Sequence, residues 1–154
     1  MKKNKKGFTP IKSGFTLIEL LVVISIIGIL VAVSIFGLSG ARESSRDARR
    51  KTDLELIRSG LELYKADCNA YPASVPAAGS ALAGTGTPPT CSVANIYISA
   101  VPADPIVASK SYRYATTASG YEICASLEQQ GLSTVTCGGS SNCGTSCNYK
   151  ITNP

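Results

Sequence analysis

Apolar and polar residues follow three regimes along this chain of 154 residues. From Leu20 to Leu38 nineteen residues, LLVVISIIGILVAVSIFGL, run without a charge, which at about 1.5 Å per residue is enough for a helix to cross the hydrocarbon of a bilayer. After Leu38 polar residues return while helical spacing persists. Leu54, Ile57, Leu61, Tyr64 and Cys68 fall three and four apart, marking one face that needs an apolar partner. On the other faces, acids stand three positions before bases in Glu43/Arg46, Asp47/Arg50, Glu55/Arg58 and Glu62/Lys65, a spacing that modestly favours helix in water. The pattern predicts one helix from Phe15 to about Asp67, roughly 80 Å long by the standard rise. A small domain cannot cover that length, so half of it must lie in a membrane or against other copies. Gly28, Gly37, Gly40 and Gly60 are its weak points, each costing about 1 kcal/mol relative to alanine.

Tyr71-Pro72 ends the helix, and Ala73 to Pro89 is so rich in Ala, Gly, Ser, Thr and Pro that it reads as a surface loop with no regular structure. In the third regime, short β-favouring runs at Ser111 to Ala115, Tyr121 to Leu127 and Leu132 to Cys137 alternate with turn formers, as in a small antiparallel sheet. Packing that sheet on the Leu54/Ile57/Leu61 stripe would close a core. The fold class is therefore α+β, with four segments: a basic leader at 1–14, an apolar helix at 15–38, its amphipathic continuation at 39–67, and a globular head at 68–154.

Charge sharpens this picture through its placement. Lys2, Lys3, Lys5, Lys6 and Lys12 all precede Gly14, leaving ten basic against ten acidic residues after it. A basic flank before an apolar run stays in the cytoplasm and sends the C-terminal side across the membrane. The run is longer than the core of an ordinary secretory signal and leads into more helix, which argues against cleavage as such a signal. With no histidine in the chain, imidazole-based catalysis and zinc ligation are removed, and no enzyme activity and no cofactor are expected.

All six cysteines lie at or beyond Cys68, as suits an exported domain with a small core. Six cysteines allow fifteen pairings. Proximity suggests Cys68 with Cys91, Cys124 with Cys137, and Cys143 with Cys147. A metal site on Cys137, Cys143 and Cys147 lacks the paired C-x-x-C spacing of structural zinc, and no metal is expected.

The segment Gly14-Phe15-Thr16-Leu17-Ile18-Glu19-Leu20-Leu21-Val22-Val23 places one carboxylate at the edge of an otherwise apolar helix, where a charge is costly and calls for a partner. One reading makes Glu19 a carboxylate favoured by the dipole at a helix start. Another has the chain cut after Gly14, so that the α-amino group of Phe15, positive near neutral pH, pairs with Glu19 of a neighbouring copy. With its basic leader, this segment resembles the class III signal of type IV pilins and type II secretion pseudopilins. The resemblance implies cleavage between Gly14 and Phe15 by a membrane prepilin peptidase, N-methylation of Phe15, and filament assembly through Phe15 and Glu19. Gly7-Phe8-Thr9-Pro10 repeats the start superficially, but Lys12 stands where the glutamate belongs. The helix also lacks the central proline of many pilins.

Further along, Tyr71-Pro72, Val101-Pro102-Ala103-Asp104-Pro105, Tyr112-Arg113-Tyr114 and Gly120-Tyr121-Glu122 resemble the heads of major pseudopilins and related pilins. Some members bind calcium in a late loop. Here Ile106-Val107 and the cysteine-rich tail break that pattern, and Asp104 reads as a turn former. Arg42, Arg46, Arg49, Arg50, Lys51 and Arg58 are interleaved with acids and read as a solvated or intersubunit face in preference to a nucleic-acid site.

The expected function is that of a type IV pilus subunit, held in the cytoplasmic membrane as a precursor and drawn by an assembly platform and its ATPase into an extracellular helical homopolymer. The alternative in the same family is a pseudopilin of a periplasmic pseudopilus. The alternative from another class is an uncleaved, single-span membrane protein that displays a binding domain.

Overall fold

The computed structural model describes residues 14–131 and 133–153, with the side chain of Phe36 also left aside. The basic leader, the Gly7-Phe8-Thr9-Pro10 repeat and Leu132 lie outside the described residues. The chain divides into two compact units, one ending at Gly40 and one running from Ala41 onward.

Helix α1 runs Leu17–Cys68 and crosses from the first unit into the second. No proline interrupts it, and its end is set by Asn69. That residue adopts φ 60° and its amide donates to the Lys65 carbonyl at 2.8 Å, the left-handed cap that asparagine tolerates well. Within the first unit every described side chain from Gly14 to Ser39 is exposed. This stretch of α1 is long and apolar enough to cross a membrane.

In the second unit, the stripe read from the sequence is the buried one: Leu54, Ile57, Leu61, Tyr64 and Cys68 all enter the core. They meet Leu82, Ile98, Val101, Tyr121, Ile123 and Ala125. Tyr121, Ile123 and Ala125 alternate along β4 (Tyr121–Ala125) and so share one face of the sheet. That sheet has the order β3-β4-β5 and is antiparallel throughout, with β3 at Arg113–Thr116 and β5 at Tyr149–Thr152.

Three expectations are corrected here. The third strand of the sheet is Tyr149–Thr152. Of the Leu132–Cys137 run, the described part forms no strand beyond an isolated bridge from Cys137 to Ser140. The loop assigned no regular structure contributes β1 (Leu82–Ala83), which pairs with β2 (Ile96–Ile98) because Leu82 and Ile98 are the apolar side chains it can bury.

Gly60 proves to be a contact point. A Cβ there would stand 2.2 Å from Ile98 Cγ1 and 3.2 Å from the Tyr97 carbonyl oxygen, so only glycine lets β2 approach α1 this closely. Gly60→Ala should gain about 1 kcal/mol of helix propensity but incur about 1–3 kcal/mol of overpacking. A lower Tm than wild type is expected, with Gly28→Ala, whose Cβ meets nothing within 4 Å, as the control that does not fall.

Candidate functional site

The N-terminal segment begins α1 with a reciprocal cap. Both the Thr16 amide and the Thr16 hydroxyl donate to Glu19 Oε2 at 2.8 Å, and the Glu19 amide donates back to Thr16 Oγ1 at 3.3 Å. Thr and Glu three residues apart satisfy otherwise orphaned amides in this way at a helix start. In a single chain, then, Glu19 caps its own helix.

Beyond Glu19, the polar side chains up to Leu38 are Ser25 and Ser34, and each returns its hydroxyl to its own helix. Ser25 donates to the Val22 carbonyl and Ser34 to the Leu30 carbonyl, both at 2.8 Å. Such a surface offers lipid or another apolar helix no unmet hydrogen bond. The apolar side chains are correspondingly bare, with Phe15 90% and Leu17 82% exposed.

The second unit holds a polar seam at the N-terminal end of its buried stripe. Arg50 is fully buried. Its Nε and Nη2 donate to the two oxygens of Asp104 at 2.7 and 3.0 Å, and its Nη1 donates to Asp47 at 2.7 Å and to Glu128 at 2.6 Å. Arg46 forks onto Glu128 through Nε, at 2.8 Å, and Nη2. Asp47 also accepts the backbone amides of Glu128 and Gln129 at 2.9 Å, and Asp104 accepts the Ile106 amide at 2.8 Å. Next along α1, Asp53 accepts the Tyr112 hydroxyl at 2.7 Å. Two guanidinium groups thus face three carboxylates, and α1 is tied to the loops around Asp104 and Glu128.

Titration follows this geometry. The hydrogen bonds from Arg46, then from Arg50, hold Glu128 at about 2 despite some burial. Burial alone would raise Asp47, but the amides of Gln129 and Glu128 together with Arg50 outweigh it and leave it lowered. Burial would likewise ease the proton off Arg50, yet Asp104, Glu128 and Asp47 together keep it more firmly charged than a free guanidinium.

The reading of the basic cluster is corrected by this seam. Arg50 is inside the head, and Arg46 pairs with Glu128 in place of Glu43. Arg49 remains largely exposed, 3.9 Å from Asp53, and Arg58 pairs with Glu55 at 3.6 Å as the spacing implied. Glu62 turns from Lys65 to accept the hydroxyls of Tyr121 at 2.9 Å and Tyr71 at 3.1 Å. The sequence carried a signal for the seam. Extended toward the N-terminus at the same three-and-four spacing, the buried stripe reaches Arg50 and Asp47. Asp104 keeps its turn role, and both its oxygens are taken by Arg50.

Two of the three proposed cysteine pairs are disulfides, Cys68–Cys91 and Cys143–Cys147. The second removes two of the three thiolates of the metal reading. Cys124 and Cys137 are buried free thiols. Among the described residues no group of three or more His, Cys, Asp or Glu side chains is placed to hold a metal ion.

Comparison with known proteins bears on both regions. Residues 11–38 match the family model of the prokaryotic N-terminal methylation motif, and residues 38–136 match that of the type II secretion system protein G. A type II secretion system core protein G of Escherichia coli (strain K12) is 33% identical over 99 residues, 63% of this chain and 68% of that protein. The Aeromonas hydrophila protein of the same description is 39% identical over 61 residues, 40% of this chain and 43% of that one. That of Pseudomonas aeruginosa PAO1 is 38% identical over 63 residues, 41% of this chain and 44% of its own length. No solved structure matches the chain.

Proposed function

The chain belongs to the type II secretion system protein G family, and we propose that it is a pseudopilin, the repeating subunit of a periplasmic pseudopilus. The observation that carries this reading is the first half of α1, apolar and exposed on every face, with a single carboxylate at its start. So much bare apolar surface requires lipid before assembly and other helices after it. Between the two readings weighed within the family, the protein G matches favour the pseudopilus over the type IV pilus.

In this account the precursor sits in the cytoplasmic membrane with its lysines inside. A prepilin peptidase cuts after Gly14, and Phe15 becomes the N-methylated first residue. An assembly platform and its ATPase draw the trimmed subunit into a helical polymer, and the head with its disulfides stands on the periplasmic side. The chain's own part is mechanical: α1 supplies the shaft, and the Arg50 seam keeps the head fixed to the second half of that helix. No bond is made or broken by the protein itself.

Mass spectrometry of the protein from the cell envelope tests this. A chain starting at Phe15 with one added methyl group is expected. An N-terminus retaining the Met1 to Lys12 region on the membrane-resident protein would favour the uncleaved, single-span binding protein and reject the pseudopilin.

A further inference from the structure

Tyr121, Ile123 and Ala125 turn one face of β4 toward α1, so Glu122 and Cys124 occupy the other face of the sheet. Among the described residues that second face has no aliphatic core of its own. Its buried cluster consists of Cys124, Cys137, Cys143 and Cys147, all fully buried, with Val135 packed against them. Among the described residues, the segment after Gln130 thus covers this face of the sheet mainly with sulfur.

The position of Cys137 over this face is fixed by its surroundings. In the β3–β4 ladder Cys124 stands opposite Arg113, and Glu122 stands opposite Ala115. Arg113 Nε donates to the Cys137 carbonyl at 2.8 Å, and the Cys137 thiol donates to the Arg113 carbonyl at 3.5 Å. One residue on, the Gly138 amide donates to Glu122 Oε2 at 3.1 Å. A Cβ at Gly138 would lie 2.4 Å from the Ala115 Cβ. Cys137 and Gly138 are thus pinned to the residues that flank Cys124 on its own strand and across the ladder. The two thiols share one buried cluster. Their contact, more than burial, pushes Cys124 up, and it holds Cys137 down.

We infer that Cys124 and Cys137 are a site of covalent modification, closing a third disulfide that binds the C-terminal tail to the centre of the sheet. The inference rests on maturation of the head outside the cytoplasm, which its other two disulfides already call for, and not on filament assembly. The co-reactant is a disulfide-bearing thiol oxidant, the class that also forms Cys68–Cys91 and Cys143–Cys147. The thiolate of Cys137 attacks one sulfur of the oxidant's disulfide and expels the other as a thiolate. Cys124, giving up its proton, then attacks the Cys137 sulfur and releases the second oxidant thiol. The protein loses two protons and two electrons, and the oxidant's disulfide is reduced to a dithiol. Since both sulfurs are fully buried in the folded head, the exchange takes place before the tail closes over β4.

The bond would do what the tail's own contacts do weakly. Cys143–Cys147 closes only a small loop within the tail. Short of β5, the remaining ties to the sheet and its neighbours are single hydrogen bonds, such as the Asn148 amide to the Ala125 carbonyl at 3.1 Å, Leu127 to Asn148 Oδ1 at 2.7 Å and Thr145 to Ser126 at 2.7 Å. A bridge from Cys124 to Cys137 would make the cover and the strand one covalent unit.

The test is a thiol map of the full-length protein. Cells are quenched in acid and the envelope protein is alkylated in denaturant without reductant, then cut with trypsin and a glutamate-specific protease. Cleavage at Glu122, Glu128 and Lys150 separates residues 123–128, which hold Cys124, from residues 129–150, which hold Cys137, Cys143 and Cys147. We expect no alkylated cysteine, and 123–128 linked to 129–150. In Cys137→Ser, Cys124 alone should become alkylated while Cys68–Cys91 and Cys143–Cys147 persist. Recovery of 123–128 free, with alkylated Cys124, alongside the two other bonds intact would overturn the third disulfide and leave the pseudopilin reading untouched. Alkylation of all six cysteines would overturn it together with export of the head. A blocked Cys124 in Cys137→Ser would assign its partner elsewhere and likewise reject the pair.

Discussion

Replacing Arg50 by alanine is expected to cost the head about 3–5 kcal/mol of stability, the range typical of removing one partner from a buried ion cluster. The variant leaves Asp104, Asp47 and Glu128 converging on a space without a cation. Asp104 is 3% and Asp47 7% exposed, so water cannot take over the role of Arg50. Arg49→Ala is the matched control. Arg49 is largely exposed, and surface pairs of that kind contribute about 0–1 kcal/mol. Arg50→Lys should recover only part of the loss, because an ammonium cannot fork onto Asp104 while reaching Glu128.

The same cluster sets a pH dependence whose sign can be worked out. Glu128 sits at about 2 in the folded head against an ordinary 4.5, and Asp47 is also lowered. A carboxylate depressed by folding adds stability that is fully present above its unfolded value and is lost as pH falls toward its folded one. Wild type should therefore weaken between about pH 4.5 and 2. In Arg50→Ala, Glu128 and Asp47 lose one of the groups that hold them ionised, beside Arg46 for the first and the amides of Gln129 and Glu128 for the second, so less of this stability is there to lose. Denaturant midpoints at pH 7 and pH 3 should show the gap between the two proteins narrowing. A gap of equal size at both, or an Arg50→Ala loss no greater than that of Arg49→Ala, would mean that the seam is not a source of stability.

What could be read in advance was what is local in the chain. The stripe Leu54/Ile57/Leu61/Tyr64/Cys68 announces itself by spacing, and its burial follows from there being no other place for it. Strand β4 could likewise be read from Tyr121, Ile123 and Ala125. Strand β5 was missed although Tyr149 and Ile151 alternate with Lys150 and Thr152, because four residues behind a run of cysteines and small polar residues give a weak period. Strand β1 is only two residues long in Gly- and Ala-rich surroundings, and β2, although Ile96, Tyr97 and Ile98 all favour strand, is only three.

The Arg50 seam shows the other kind of limit. Arg46 and Glu128 are 82 positions apart, and no local pattern says which of the chain's acids will meet a given arginine. A charge at i+3 is always at hand as a partner, and for Arg46 the head outbid it. Arg46 reaches Glu128 with two nitrogens in a partly buried setting, whereas a helix-surface pair with Glu43 would be worth only about 0.2–0.5 kcal/mol. The disulfides fall between these cases. Proximity along the chain suggests all three pairs, and two of them, Cys68–Cys91 and Cys143–Cys147, are bonded, while the contact of Cys124 with Cys137 depends on the tail folding back over β4.

The second large effect is expected at Glu19, where cap and assembly can be separated. Within one chain, Glu19 accepts the amide and the hydroxyl of Thr16, so its conformation needs no neighbour. Its charge is a different matter. Two unit charges 4 Å apart at an effective dielectric of 20 attract by about 4 kcal/mol, and about 1.4 kcal/mol is a factor of ten in an equilibrium. If the methylated amino group of Phe15 in the next subunit supplies the positive charge, Glu19→Gln removes that attraction. The amide oxygen that replaces the carboxylate can still accept from Thr16, so the helix start survives. Thr16→Ala does the reverse, weakening the cap by about 1 kcal/mol while leaving the charge in place. Cleavage after Gly14 should proceed in both variants. Filaments released from spheroplasts and counted by electron microscopy should be absent for Glu19→Gln and near wild-type number for Thr16→Ala. Equal loss in both would show that assembly depends on the cap as much as on the charge, so that the effect of Glu19→Gln could no longer be assigned to pairing with Phe15. Normal filaments from Glu19→Gln would show that assembly draws its register from the apolar face of α1 alone.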